Sequence, residues 1–324
     1  MAEAQEDDDE IFVYMGGDQV VPNDVRRVRI DKSVKIIPAN AFEYREDLIS
    51  VEFHDGIERI EKGAFKGCTS LRSVKLLGVK IIEFGAFYNC GLTDVEFDDK
   101  LETIEEGAFY NCSSLRSLTM PSVMSIDRGA FVDCVQLTDL EFGEGLETIE
   151  EYAFHSCHRL RRIAIPLNCM IIGADIFTSC PKLTTVDLVG GIHRTIASLH
   201  LERWRNEMMD EMNRINQVLL TVGGGKTAVI QQWMELVTRR LNRYKFEHKA
   251  LLKEATTLLE LAIWKANLDD NEGGVLEMEG VRITRGRRKR ARKESCITSG
   301  SSIVIKNVLP FLQLELRNGG PNHT

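Results

Sequence analysis

Between residues 25 and 196 apolar positions return every 22 or 23 residues, a spacing far longer than a helical turn or a strand pleat. An Ala-Phe or Ile-Phe pair ends on Phe42, Phe65, Phe87, Phe109, Phe131, Phe154 and Phe177. Five residues before each stands an Ile: Ile37, Ile60, Ile82, Ile104, Ile126, Ile149 and Ile172. Three residues after stand Cys68, Cys90, Cys112, Cys134, Cys157 and Cys180, with Arg45 in the first unit. A Leu follows (Leu48, Leu71, Leu92, Leu115, Leu137, Leu160, Leu183), then an alternating pair such as Val74/Leu76, Val95/Phe97 or Leu140/Phe142. Alternation of period two predicts a short strand. One such unit cannot bury its own apolar face, whereas stacked units align like side chains into continuous columns. The pattern predicts an α+β chain led by a solenoid of about seven coils, with parallel strands ~4.8 Å apart. The Phe column fills the opposite wall, and Gly63, Gly85, Gly107 and Gly129, two residues before a Phe, suit a tight turn.

After residue 196 the period changes. Leu201, Trp204, Met208, Met212, Ile215 and Leu219 are spaced three or four apart, which predicts one apolar seam on a helix. A Gly-rich break at residues 221–225 precedes a second seam, Ile230, Trp233, Val237, Leu241, Tyr244, Leu251, Ala255, Leu258 and Ala262. The second helix, residues 226–268, would be ~64 Å long and pack antiparallel on the first. Being longer, it leaves seam over, to cover the solenoid end or to pair with a second copy in a homo-oligomer. Terminal coils need a cap, and residues 199–219 and 11–21 are the expected caps. The expected organisation is therefore an acidic N-terminal tail and cap at 1–24, repeats at 25–196, a helical hairpin at 197–268, a partly disordered linker at 269–301, and an apolar segment at 302–324.

The repeating sequence Ile-x-x-x-Ala-Phe-x-x-Cys-x-x-Leu-x-x-Val-x-Phe resembles leucine-rich repeats of the BspA-like class. The whole chain is similar to eukaryotic algal proteins that join such repeats to a C-terminal helical segment. The resemblance implies a protein-interaction scaffold. It implies no catalytic residue, no cofactor and no particular partner.

Composition narrows the partner. Asp and Glu number 49 against 41 Lys and Arg, so the chain as a whole is not built for nucleic acid. No apolar run is long enough to span a membrane. The opening MAEAQEDDDE has neither the basic nor the apolar region of an export signal, so an intracellular location with reduced cysteines is expected. Residues between the buried strand positions should face solvent: Glu52, Lys75, Glu96, Thr119, Glu141, Ala164 and Asp187, with Asp94 and Asp139 in the neighbouring column. Glu52, Asp94, Glu96, Asp139, Glu141 and Asp187 are the candidate partner-binding residues, either as a solvated face or as a dock for a basic protein.

Three other features bear on chemistry. The cysteine ladder reads as buried thiols meeting turn backbone, as disulfides between rungs, or, with His155, Cys157 and His158, as metal ligands. The ~4.8 Å coil spacing is within disulfide range but parallel side-chain directions suit a disulfide poorly, the local spacing is not a zinc pattern, and no metal or cofactor is expected. Gly223-Gly224-Gly225-Lys226-Thr227 looks like a phosphate loop, but Leu220 stands where that loop needs its first glycine and no strand precedes it. Residues 285–293 carry seven basic side chains in nine. Arg287, Arg288, Lys289, Arg290, Arg292 and Lys293 form a candidate nuclear-import signal, and through them alone a nucleic-acid contact is open. No nucleophile elbow, HExxH or dinucleotide fingerprint occurs, so a non-catalytic scaffold is the expectation.

Overall fold

The computed structural model describes residues 11–17, 19–167, 169–171, 173, 175–189 and 202–271, with side-chain surroundings to 265. The expected linker and C-terminal segment lie outside these residues.

Each coil carries one long and one short strand. The long ones are β1 (Ile11–Tyr14), β2 (Arg27–Ile30), β4 (Ser50–Glu52), β6 (Ser73–Leu76), β8 (Asp94–Phe97), β10 (Ser117–Met120), β12 (Asp139–Phe142), β14 (Arg162–Ile165) and β16 (Thr185–Leu188). They form a five-stranded ladder to β8 and a four-stranded one from β10, parallel throughout. The interruption follows the one coil that is a residue short between its cysteine and leucine, Cys90-Gly91-Leu92. Gly91 is needed there, because a Cβ would lie 2.0 Å from the Thr69 carbonyl oxygen.

The second wall is a seven-stranded parallel sheet of two-residue strands: β3 (Ile36–Ile37), β5 (Arg59–Ile60), β7 (Ile81–Ile82), β9 (Thr103–Ile104), β11 (Ser125–Ile126), β13 (Thr148–Ile149) and β15 (Met170–Ile171). Two residues show no alternation, which is why the Ile column alone did not announce a sheet. A further column was not anticipated: Val34, Ile57, Val79, Leu101, Val123 and Leu146, three before each Ile, are all buried.

The core is stacked as the repeat requires. The Phe rings from Phe42 to Phe177 form one file with centroids 4.8–5.9 Å apart and planes within 8° of parallel. Offset stacking at that separation suits the ring quadrupole. The turn before each Phe from Phe42 to Phe154 is left-handed, at Asn40, Gly63, Gly85, Gly107, Gly129 and Tyr152. A second left-handed column falls two residues after each Phe, at Tyr44, Gly67, Asn89, Asn111, Asp133, Ser156 and Ser179. Short polar side chains and glycine dominate it because they tolerate positive φ most readily. Between the two columns each Phe amide from Phe42 to Phe154 donates to the next coil: Phe42 to the Ala64 carbonyl at 2.7 Å and Phe87 to Ala108 at 2.7 Å. The buried turn therefore keeps its backbone bonded.

At the N-terminal end β1 adds a strand beside β2, and Tyr14 closes the ring file edge-on to Phe42 at 5.0 Å. Arg45 replaces the cysteine of the first coil, which has no coil before it, and donates to the Val21 carbonyl from Nη2 at 2.8 Å. Two helices follow the solenoid, α1 (Glu202–Thr221) and α2 (Lys226–Asn271). The chain forms two compact units. Residues 205–238 belong with the solenoid; of the described residues, 202–204 and 239–271 form the other.

Candidate functional site

The strand face carries the charged columns. Its register sets Ser73 beside Asp94 and Lys75 beside Glu96, then Asp139 beside Arg162 and Ala164 between Glu141 and Asp187. The expected acidic residues divide into two sets. Glu52 pairs with Arg29 at 2.6 Å, Glu96 with Lys75 at 2.8 Å, and Asp187 with Arg162 at 3.1 Å. Asp187 also accepts the Leu188 amide at 2.8 Å. Asp94 takes only the Thr93 hydroxyl at 2.7 Å, and Asp139 and Glu141 have no cationic partner among the described residues. Asp94, Asp139 and Glu141 are exposed, so the uncompensated charge sits in the middle coils, with Ser117 and Thr119 between. Ala164 corrects the expectation that this whole column faces water: it is buried, a methyl overtopped by its longer register neighbours Glu141 and Asp187.

On the turns, a recurring carboxylate has a structural task. Glu61 accepts the Ala39 amide at 2.9 Å, Glu83 the Lys62 amide at 3.2 Å and Glu105 the Phe84 amide at 3.1 Å. Each caps the turn of the coil before it. Asp127 stands in the same column, and burial together with Glu150 and Glu105 raises its carboxyl above the usual range.

The cysteines are rungs of the core. All seven that are described are free and buried. Each ladder thiol donates to the carbonyl of the preceding coil's Phe: Cys68 to Phe42 at 3.2 Å, Cys90 to Phe65 at 2.9 Å, Cys112 to Phe87 at 3.1 Å and Cys180 to Phe154 at 3.2 Å. Burial pushes the Cys112 and Cys169 thiols up to about 12 and raises Cys90, Cys134 and Cys157 as well. A thiol held protonated is a poor nucleophile and a poor metal ligand. Among the described residues no group of three or more His, Cys, Asp or Glu could hold a metal ion.

The Gly-rich turn has become a cap. The last coil has no successor to accept its Phe177 amide, and the Thr227 hydroxyl takes that role at 2.9 Å. Asn216 accepts the Val186 amide at 3.1 Å, and Gln231 donates to the Ile171 and Gly173 carbonyls at 2.9 and 3.1 Å. The Lys226 ammonium donates to the Pro181 and Leu183 carbonyls at 2.9 and 2.5 Å. It is 4% exposed, and burial lowers its pKa. A pocket of about 300 Å³ opens here between His158, Ser179, Pro181 and Gly224, but Lys226 is already bonded to main chain. The cap thus draws on the first turns of α2 as well as on α1; the sequence pointed first to residues 199–219, with the spare seam of the second helix as another possible cover. Sequence reasoning read Lys226 and Thr227 as an ordinary turn; their burial was the missing signal.

In the other unit Trp204 stacks on Tyr244 at 5.1 Å, and Glu247 accepts from Trp204 Nε1 at 3.1 Å and Arg203 at 2.7 Å. No described helix is long and apolar enough to cross a membrane. The basic run, Arg287 to Lys293, lies outside the described residues.

Parallel two-row coils around a Phe file define a leucine-rich repeat solenoid. The sequence matches the BspA type leucine rich repeat region, in six copies, over residues 35–125 and 80–198, and the chain belongs to that family. Solved structures similar to it include a leucine-rich repeat protein from Bacteroides ovatus (22% identity, TM-score 0.38, covering 51% of this chain and 55% of that one). The pneumococcal vaccine antigen PcpA is another (20% identity, TM-score 0.34, 51% of each chain). A third is the T. pallidum leucine-rich repeat protein TpLRR (22% identity, TM-score 0.26, 50% of this chain and 57% of that one). The chain thus spans about half the length of these structures. No curated protein matches the sequence.

Proposed function

We propose that the chain is a non-catalytic protein-interaction scaffold whose middle strand face docks a basic protein segment. One observation carries this reading. Glu52, Glu96 and Asp187 are neutralised by Arg29, Lys75 and Arg162, while Asp94, on the same strand as Glu96, and Asp139 and Glu141 two strands further on stay exposed without a cationic partner among the described residues. Asp94 is held on the last strand of one parallel ladder and Asp139 and Glu141 on the second strand of the next, so their backbones are already ordered and little scaffold entropy is lost when a complementary cation binds. Extended repeat surfaces are the usual binding surfaces of solenoids. The thiols support the non-catalytic part, since burial keeps them protonated.

The test compares proteins captured by the full chain with those captured by a variant carrying Asp94→Ala, Asp139→Ala and Glu141→Ala. All three side chains are exposed, so folding is expected to survive. The captured partners should be released by moderate salt and lost in the variant, because exposed charge pairs are screened beyond ~10 Å at 0.1 M. An identical captured set in both removes the proposal.

A further inference from the structure

The apolar seam of α2 changes character along its length. Ile230, Trp233, Val237 and Tyr244 are buried. Past the level of Glu247, where Arg203 and Trp204 near the start of α1 make their contacts, α2 runs on for ~36 Å with no residue of α1 left to flank it. There Leu258, Leu261, Ile263 and Trp264 are 45%, 54%, 53% and 63% exposed. The tip reads Leu-Leu-Glu-Leu-Ala-Ile-Trp-Lys over residues 258–265, with only Glu260 and Lys265 charged. Contiguous apolar surface of this kind on a water-facing helix marks an interaction site.

We propose that this tip is the docking site for an apolar segment of the same chain, residues 303–316. That segment reads Ile-Val-Ile-Lys-Asn-Val-Leu-Pro-Phe-Leu-Gln-Leu-Glu-Leu and has the same need for cover. It is too short and too interrupted to span a membrane, and Pro310 prevents one helix from running through it. Position favours it over any other occupant. The chain continues for residues 272–324 beyond the end of α2. Residues 272–302 reach ~100 Å when extended, whereas Leu258 lies only ~20 Å back along the helix from Asn271. A tethered segment is present at an effective concentration of order millimolar, so a second copy making equal contacts loses to it at ordinary protein concentrations.

Trp264 supplies the probe, because Trp204 and Trp233 are buried. Acrylamide quenching is measured on the full chain and on a full-length variant carrying Leu309→Asp and Phe311→Asp. Docking predicts at least a twofold rise in the quenching constant in the variant, and a synthetic peptide of residues 302–318 should reverse it. The same peptide should fail to bind the variant when Leu261→Asp is added; that side chain is exposed, so the fold is not at stake. Equal quenching in parent and variant overturns the proposal. So does protection that disappears on dilution together with a halving of mass by light scattering, which would give the tip to a second copy.

Discussion

Alkaline pH should unfold this protein through its thiol ladder. An ordinary thiol titrates near 9.0, whereas in the folded chain Cys112 is pushed up to about 12, and Cys90, Cys134 and Cys157 are raised well above 9.0, all by burial. The folded state therefore holds protons that the unfolded chain releases. A raised native pKa gives stability that is intact below 9 and is lost as pH climbs from 9 towards 12. At pH 10 the unfolded chain gains about 6 kcal/mol from four thiols that ionise only there. That is a large part of the 5–15 kcal/mol typical of a domain. The assay is urea unfolding at pH 7 and pH 10 under reducing conditions, followed by circular dichroism. A variant with Cys112→Ser and Cys134→Ser isolates the thiols, since a hydroxyl can still donate to the Phe87 and Phe109 carbonyls that the thiols now use, without titrating. The loss between pH 7 and pH 10 should shrink by about 3 kcal/mol in the double variant. An equal loss in both proteins would refute the reasoning, because tyrosines, lysines and other groups common to both would then account for it.

Other outcomes follow from single contacts. Thr227→Val keeps the shape but leaves the Phe177 amide without an acceptor, and should cost about 1–3 kcal/mol by thermal unfolding, with Thr227→Ser close to the parent. Gly143→Ala places a Cβ 1.6 Å from the Pro121 carbonyl oxygen and should lower the melting temperature sharply; Gly145→Ala, with nothing within 4 Å, should leave it within a degree or two. Asp127→Asn should stabilise the fold at pH 7 by a few tenths of a kcal/mol, the carboxyl being only partly buried. Its raised pKa penalises the carboxylate, so that gain should vanish as pH falls through the carboxylate range, and a gain that persists at pH 3 would assign it to another cause.

The sequence by itself determined the solenoid, because a stacked coil writes each column of its core at a fixed interval. Phe87, Phe109 and Phe131 are 22 residues apart and lie one on another at 5.2 and 5.1 Å. The same logic placed the cysteines on buried turn positions, the glycines of one left-handed column, and the change to helices after the repeats. The short-strand sheet stayed hidden, since two residues carry no period. So did the contacts that make the cap, though residues 199–219 were its expected place: Thr227, Lys226, Gln231 and Asn216 stand in no repeat, and their partners are 30 to 60 residues away. Which acidic residues of the strand face keep a bare charge was also settled in three dimensions. Glu96 and Glu141 occupy the same position in their coils, but the cation that neutralises Glu96 comes from the neighbouring coil, one register step away at Lys75. Periodicity reports what recurs within a unit, whereas the cap and the charge balance arise where unlike units meet, and only folding brings those together.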